Sequence, residues 1–320
     1  MTLSRALSFG LALAAAALSP ATVAAQEYPT RPITIVMPFG ASAEQAIRPI
    51  AERMSAKLGQ QVIIESKMGA GGTIGTAHAV AASPDGYTLV VGGAGPLMIL
   101  PEYRKLPYDV ERDLIPVAWI AEVVSGVAVH PSLGVKNVAE FVEYAKRNPG
   151  TVNFPSAGYG TTSHLRGELF AHQLGVNLVH VPYKTNGDAM PDLLAGRVQL
   201  MFESIVFPHA KAGKLQLIAV LGDERVPDFP EVATLAEQGF RNFDIPLWYA
   251  LYAPAKTPRP ILETLNRAVA EVVGDPAFAK QMAANNLKIR AMNLPEVSAR
   301  MDAQRKMYRT MLKDLNIKLN

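Results

Sequence analysis

Two short loops of this chain combine small residues with hydroxyl groups, a chemistry that suits the binding of an anion. The first loop consists of Phe39, Gly40, Ala41 and Ser42, and the candidate ligand contacts of the second are Ser156, Ala157, Gly158, Tyr159, Gly160, Thr161, Thr162 and His164. Small residues let backbone N–H groups approach a ligand closely, and the dipole of the helix predicted after each loop favours negative charge. Taken singly, either loop could also be an ordinary strand-to-helix turn.

The donors available in these loops favour a carboxylate that both loops share. No Arg or Lys lies within either loop, so backbone N–H groups and the hydroxyls of Ser156, Thr161 and Thr162 must satisfy the oxygens of a buried carboxylate. Charge-assisted hydrogen bonds contribute about 1.5–3 kcal/mol each. We therefore expect Thr161→Val to weaken ligand binding while the melting temperature without ligand barely changes.

Sequence motifs for covalent and phosphate chemistry are missing. There is no GxxxxGK[ST], GxSxG or HExxH motif, no cysteine, and the six histidines are scattered. The glycine-rich segment 69–75 has the spacing G-x-G-x-x-I, which departs from the dinucleotide-binding pattern. We predict no cofactor, no metal site and no enzymatic activity. A secreted α/β enzyme that uses His164 with Glu203 remains the alternative.

Composition and charge exclude other classes of protein. Hydrophobic residues make up 49% and charged residues 18% of the 320 residues, which argues against a disordered chain. The net charge is only +3, with no run of like charges. Nucleic-acid binding normally needs a clustered basic face, so we predict no nucleic-acid partner.

The N-terminus has the three regions of a secretory signal peptide. Arg5 precedes a stretch of 13 apolar and small residues, and Val23-Ala24-Ala25 offers a cleavage site. The alternative is a membrane anchor, but a bilayer span needs about 20 residues. We therefore expect residues 1–25 to be removed and the mature protein to reach the periplasm.

The remaining chain alternates short apolar runs with helical patterns, which predicts an α/β fold. The predicted strands are Ile33–Met37, Val62–Glu65, Thr88–Val91, Val127–His130, Val152–Pro155, Leu178–Val181, Gln199–Phe202, Gln216–Val220 and Leu247–Ala253. Because the pattern restarts after Gly126, we predict two lobes, each a mostly parallel sheet flanked by helices. Ligands of such folds bind at the carboxyl ends of strands, where both candidate loops lie.

Several stretches resemble the periplasmic solute receptors of tripartite tricarboxylate transporters (TctC/Bug-type). They are Tyr28–Ile33, Pro38-Phe39, Gly69–Gly72 with Ile74-Gly75, Ser83–Leu89, Leu106–Asp109, Ser156–His164, His180–Lys184 and Ala253–Ala255. The resemblance implies a venus-flytrap receptor that captures an organic carboxylate between its lobes and delivers it to membrane permease subunits. It also implies that backbone amides and hydroxyls of the two loops hold the carboxylate.

The resemblance further suggests a division of the chain and two departures from the family pattern. Residues 26–125 form the first part of lobe 1, residues 126–246 lobe 2, and residues 247–320 the return to lobe 1. The first loop lacks the usual Gly-Gly pair and following Asp, and Glu203 stands where the family often has Asp. We include Glu203 among the ligand-binding residues, interpret Arg48 as an ion-pairing residue, and expect a monomer. A sensor that presents its ligand to a signalling protein remains a further alternative, and the sequence does not name the acid.

Overall fold

The computed structural model describes residues 28–240, 243 and 245–315, and of Ala41, Ser42, Asp314 and Leu315 it describes only the backbone. The predicted signal peptide and its cleavage site lie outside these residues. The strands are β1 Ile33–Met37, β2 Val62–Ser66, β3 Thr88–Gly92, β4 Leu114–Val123, β5 Ser125–Val129, β6 Val152–Ser156, β7 Leu178–Pro182, β8 Leu200–Glu203, β9 Gln216–Leu221, β10 Leu247–Pro254 and β11 Leu287–Lys288. The α-helices are α1 Ala41–Leu58, α2 Thr73–Val80, α3 Leu100–Tyr103, α4 Val110–Asp113, α5 Val138–Arg147, α6 Thr162–Leu174, α7 Met190–Leu194, α8 Phe207–Lys211, α9 Arg259–Val273, α10 Pro276–Ala283 and α11 Leu294–Leu315.

The first sheet has six strands in the order β11-β4-β10-β3-β1-β2. Strand β1 pairs in parallel with β2 and β3, whereas β10 is antiparallel to both β3 and β4. The side chains of Ile47, Ile50 and Met54 on helix α1 pack against this sheet and are buried. Their helical spacing makes one continuous apolar face, and Gly59 ends the helix in the left-handed conformation.

The second half of the chain forms a three-stranded sheet in the order β8-β5-β9 and the parallel pair β6-β7. Strand β5 is antiparallel to both of its neighbours. The pair β6-β7 lies beside β8, because the N–H of Gln199 donates to the Asn153 carbonyl at 2.9 Å. The α/β fold with parallel strands and flanking helices is therefore confirmed, with antiparallel pairing around β5.

Extended chain connects the two sheets. Strand β4, which has ten residues, runs into β5 with only Val124 between them, and β10 returns to the first sheet beside β4. The two connections are the junction between β4 and β5 and the segment that leads into β10. Both segments are fixed to helix α6 by the buried Arg166, which donates to Ser125 Oγ at 3.0 Å and to the Ile245 carbonyl at 2.8 Å.

Candidate functional site

A narrow cavity lies where loops from the first sheet meet loops from the second half of the chain. Its volume is about 80 Å³. Its walls are Pro38, Phe39, Gly40, Gly69, Gly71, Gly72, Gly93, Ala94, Gly95, Ala157, Thr161, Thr162, Ser163, Lys184, Thr185, Asn186, Gly187, Glu203, Ile205, Leu247 and Tyr249.

The first predicted loop lies on one wall of this cavity. Phe39 lines it, with its ring centroid 5.7 Å from that of Tyr249. Gly40 is the N-cap residue of helix α1 and lines the cavity beside Phe39. A Cβ at Gly40 would lie 3.2 Å from Thr185 Cβ, so the loop approaches the second half of the chain closely. Arg48 forms an ion pair with Glu44 on α1.

Glycines on the same wall leave the backbone accessible from the cavity, because they have no side chains. Gly71 and Gly72 have φ values of 66° and 92°, which residues with a side chain rarely adopt. A Cβ at Gly72 would lie 2.9 Å from Phe39 Cε1. The glycine-rich segment therefore packs against Phe39 and also lines the cavity.

The second predicted loop brings the N-terminus of helix α6 to the cavity. Thr161, Thr162 and Ser163 are buried and line it, together with Ala157. Thr161 Oγ1 donates to the Gly158 carbonyl at 2.7 Å and accepts from the His164 N–H, so its hydroxyl caps the helix. Among the described residues the Thr162 hydroxyl makes no hydrogen bond, which leaves it available to a ligand. Because the Thr161 hydroxyl is already engaged, we now expect the Thr162 hydroxyl, rather than that of Thr161, to donate to the ligand.

Several predicted contacts lie behind this loop rather than on the cavity wall. Ser156 is fully buried, and its hydroxyl contacts His180 Nε2 at 2.6 Å. Tyr159 is 48% exposed and packs edge-on against the rings of His164 and His180. Gly158, Gly160 and His164 also do not line the cavity, and the His164 ring is 3% exposed. Burial lowers the pKa of His180 to about 4, with His164 adding to the shift.

A third loop, between β7 and α7, lines the cavity and was not predicted as part of the site. It contributes Lys184, Thr185, Asn186 and Gly187. Thr185 and Asp188 fix its shape, because the Thr185 N–H and hydroxyl both donate to Asp188 Oδ2. The Lys184 side chain is exposed and forms no ion pair with any described residue. The sequence feature that could have indicated this loop is its position after a parallel strand, at the edge of the sheet where ligands bind.

Glu203 is the buried acid of the cavity. It ends strand β8, is 2% exposed and lines the cavity wall. Its Oε1 accepts a hydrogen bond from Asn186 Nδ2 at 2.7 Å. Burial raises the pKa of Glu203 to about 7, and the nearby Arg166 opposes this shift. The carboxyl group can therefore change its protonation state near neutral pH.

The structure does not bring together His164 and Glu203, the pair suggested for an enzyme. His164 Nε2 lies 3.6 Å from Glu168 Oε1, and its Nδ1 accepts from the Gly160 N–H at 3.3 Å. Glu203 instead contacts Asn186, on the third loop. Within the described ranges, no group of three or more His, Asp or Glu residues could hold a metal ion.

Sequence comparison identifies the family. A profile described as "Tripartite tricarboxylate transporter family receptor" matches residues 46–317. The chain belongs to this family. A UPF0065 protein from the tcbD–tcbE intergenic region of a Pseudomonas strain is 34% identical over 295 residues, which cover 91% of this chain and 88% of the relative.

Several solved structures are similar to this chain along nearly their whole length. A structure described as a periplasmic transporter has a TM-score of 0.88 and 34% identity, covering 92% of this chain and all of the other. An R. palustris protein with adipate has a TM-score of 0.86 and 29% identity, covering 91% and 99%. MatC from Rhodopseudomonas palustris with bound malate has a TM-score of 0.79 and 28% identity, covering 88% and 100%.

These matches confirm the predicted family and the periplasmic-binding-protein fold. The family consists of receptors, and two of the similar structures are described with adipate and with bound malate, both small carboxylates. No helix in the described part of this chain is long and apolar enough to cross a membrane.

Proposed function

We propose that this protein is the exported receptor of a tripartite tricarboxylate transporter, and that it binds one small organic carboxylate in the cavity between its two lobes. In this proposal residues 26–125 and 247–320 form lobe 1, and residues 126–246 form lobe 2. After export and removal of the signal peptide, the receptor acts as a periplasmic monomer, without catalysis or nucleic acid. It delivers its ligand to the membrane permease subunits.

The observation that carries the proposal is the set of anion-binding groups around the cavity. The N-terminus of the 13-residue helix α6 meets the cavity at Thr162 and Ser163. The first N–H groups of a helix have no partner within it, and its dipole favours an anion there. Lys184 adds a full positive charge from the third loop. A carboxylate that leaves water needs such donors, because a buried and unpaired charge is costly.

A thermal-shift screen of the mature protein against mono-, di- and tricarboxylates tests the proposal. A ligand at a hundred times its dissociation constant should stabilise the protein by about 2.7 kcal/mol, which gives a clear rise in melting temperature. Product analysis of the same mixtures tests the absence of catalysis. Failure of every carboxylate to stabilise the protein, or accumulation of a product, would contradict the proposed function.

The transporter partnership needs a separate test in cells. Deletion of the receptor gene should abolish high-affinity uptake of the acid found in the screen, and expression of the full chain should restore it. Unchanged uptake in the deletion strain, together with tight binding in vitro, would favour the sensor alternative over transport.

A further inference from the structure

The buried Arg166 connects helix α6 to three separate segments of the chain. Its side chain is almost completely buried. Nε and Nη2 donate to the Ile245 carbonyl at 3.1 and 2.8 Å, and Nη1 donates to Ser125 Oγ at 3.0 Å and to the Phe202 carbonyl at 2.9 Å. A guanidinium is planar and holds its N–H donors in a fixed fork. The three partner segments are therefore held in a defined position relative to the helix.

Two of these partners lie at the lobe 2 ends of the extended connections between the proposed lobes. On the lobe 2 side, β5 is paired from Ser125 onwards, and Arg166 holds Ile245. On the lobe 1 side, β4 and β10 are paired up to Val123 and Leu247. Hydrogen bonds therefore fix each connection on both sides, with a single residue between the fixed positions.

The single residues between the fixed positions are Val124 and Pro246. The Val124 N–H donates to the Asn286 carbonyl at 2.9 Å. The Pro246 carbonyl accepts from the Tyr308 hydroxyl at 3.1 Å. Hinges are a few residues that absorb large changes of backbone torsion, so rotation between the lobes concentrates at these two residues. The proline ring fixes φ of Pro246, which restricts the rotation further.

Arg166 also lies close to the candidate ligand site. It follows Thr162 by four residues on α6, which is about one helical turn, and Thr162 lines the cavity. Phe202, whose carbonyl accepts from Arg166, directly precedes the cavity residue Glu203. The same side chain therefore links the cavity-facing end of α6 to both connections.

We propose that Arg166 is a positioning residue that fixes both interlobe connections to helix α6, so that the ligand site and the lobe 2 side of the hinge move as one rigid unit. This inference goes beyond the proposed carboxylate-receptor function and rests on its two lobes. With the guanidinium in place, bending is confined to Val124 and Pro246, and the open receptor keeps a narrow range of lobe orientations. Without it, the connections gain freedom and fewer orientations are competent to bind. Affinity falls with the competent fraction, so a fraction of about one tenth weakens binding about tenfold.

Distance measurements between spin labels on the two lobes test the proposal. The chain contains no cysteine, so Ala56→Cys on α1 and Ala139→Cys on α5, both at exposed positions, give one label on each lobe without background. We expect a narrow distribution of distances in the ligand-free protein. Arg166→Lys keeps the positive charge but replaces the fork with a single ammonium group. It should broaden the ligand-free distribution and weaken binding of the acid found in the screen about tenfold.

Two further variants separate this role from a general effect on stability. Ser125→Ala removes one partner of Arg166 with little loss of volume. It should broaden the distribution to a smaller extent, and it serves if Arg166→Lys folds poorly. The matched control Leu169→Ala removes buried apolar atoms from the same helix, so it should lower the melting temperature but leave the distribution narrow.

The outcomes distinguish this inference from the proposed function. Distributions as narrow as that of the wild type in both Arg166→Lys and Ser125→Ala, or equal broadening in Leu169→Ala, would overturn the role of Arg166. Broadening without any loss of affinity would overturn its link to the ligand site. If no carboxylate binds or changes the distance in the wild type, while Arg166→Lys still broadens the ligand-free distribution, the proposed function fails and the positioning of the connections by Arg166 stands.

Discussion

Thr161 and Thr162 are neighbours in sequence, but their hydroxyls have different partners. The Thr161 hydroxyl is engaged in capping helix α6, whereas that of Thr162 has no partner within the described chain. We expect Thr162→Val to weaken ligand binding about tenfold with little change in stability. Thr161→Val should instead lower the free energy of unfolding by about 1 kcal/mol, the usual effect of losing an N-cap. Calorimetry and urea denaturation of both variants check this difference, and the reverse pattern would contradict the assignment.

Lys184 is a flexible cation on the cavity wall, so its charge should act directly on a bound carboxylate. Lys184→Met keeps most of the apolar stem and removes the ammonium group. We expect an affinity loss of about tenfold or more, with an unchanged melting temperature in the absence of ligand. Lys214→Met, at an exposed lysine that does not line the cavity, is the control. Wild-type affinity in Lys184→Met would show that the carboxylate binds elsewhere.

The sequence predicted only part of this site. Loops after strands can be recognised from glycines and hydroxyls, and this identified Phe39, Gly40 and the start of helix α6. The lining residues Lys184 and Asn186 were not predicted, because a single lysine and a single asparagine are ordinary surface residues. Ser156 and His164 carry groups that could bind an anion. They do not line the cavity, because they make buried contacts with rings behind the loop.

At the scale of elements, helix α6 is positioned by its contact with strand β6. A Cβ at Gly167 would lie 2.0 Å from Phe154 Cε2, so the helix can approach the strand only because this residue is glycine. Gly167→Ala should therefore reduce the free energy of unfolding by about 1–3 kcal/mol through overpacking. In an exposed helix the same change would stabilise the protein by about 1 kcal/mol. Urea denaturation gives the sign, and a stabilised variant would contradict this packing.

Apolar runs predicted most strands of this fold but not their pairing. The predicted strand Ile33–Met37 matches β1 residue for residue. Strand β4 was not among the predicted strands, because Pro116 interrupts its apolar run. Pro116 is tolerated within the strand because the pairing between β4 and β10 is irregular there. The antiparallel neighbours of β5 follow from the direction in which β4 enters the second sheet, which no local pattern records.

At the scale of the whole molecule, the narrow cavity suggests a closed arrangement of the proposed lobes. Gly40 approaches Thr185, and a Cβ at Gly95 would lie 3.5 Å from the Gly160 carbonyl oxygen. A ligand has to enter and leave, so we expect the lobes to separate about the extended connections when the cavity is empty. Small-angle scattering should show a smaller radius of gyration with saturating ligand than without. An identical radius in both states would contradict a hinge motion.

We expect this cavity to capture a carboxylate. The most direct test is a calorimetric titration of the mature protein with the best acid from the screen and with the primary amide of that acid, in which the carboxylate is neutralised. From the groups around the cavity we predict one binding site for the acid. The amide should bind at least a hundredfold more weakly, since several charge-assisted hydrogen bonds are lost. Equal affinity for the acid and the amide would contradict the account.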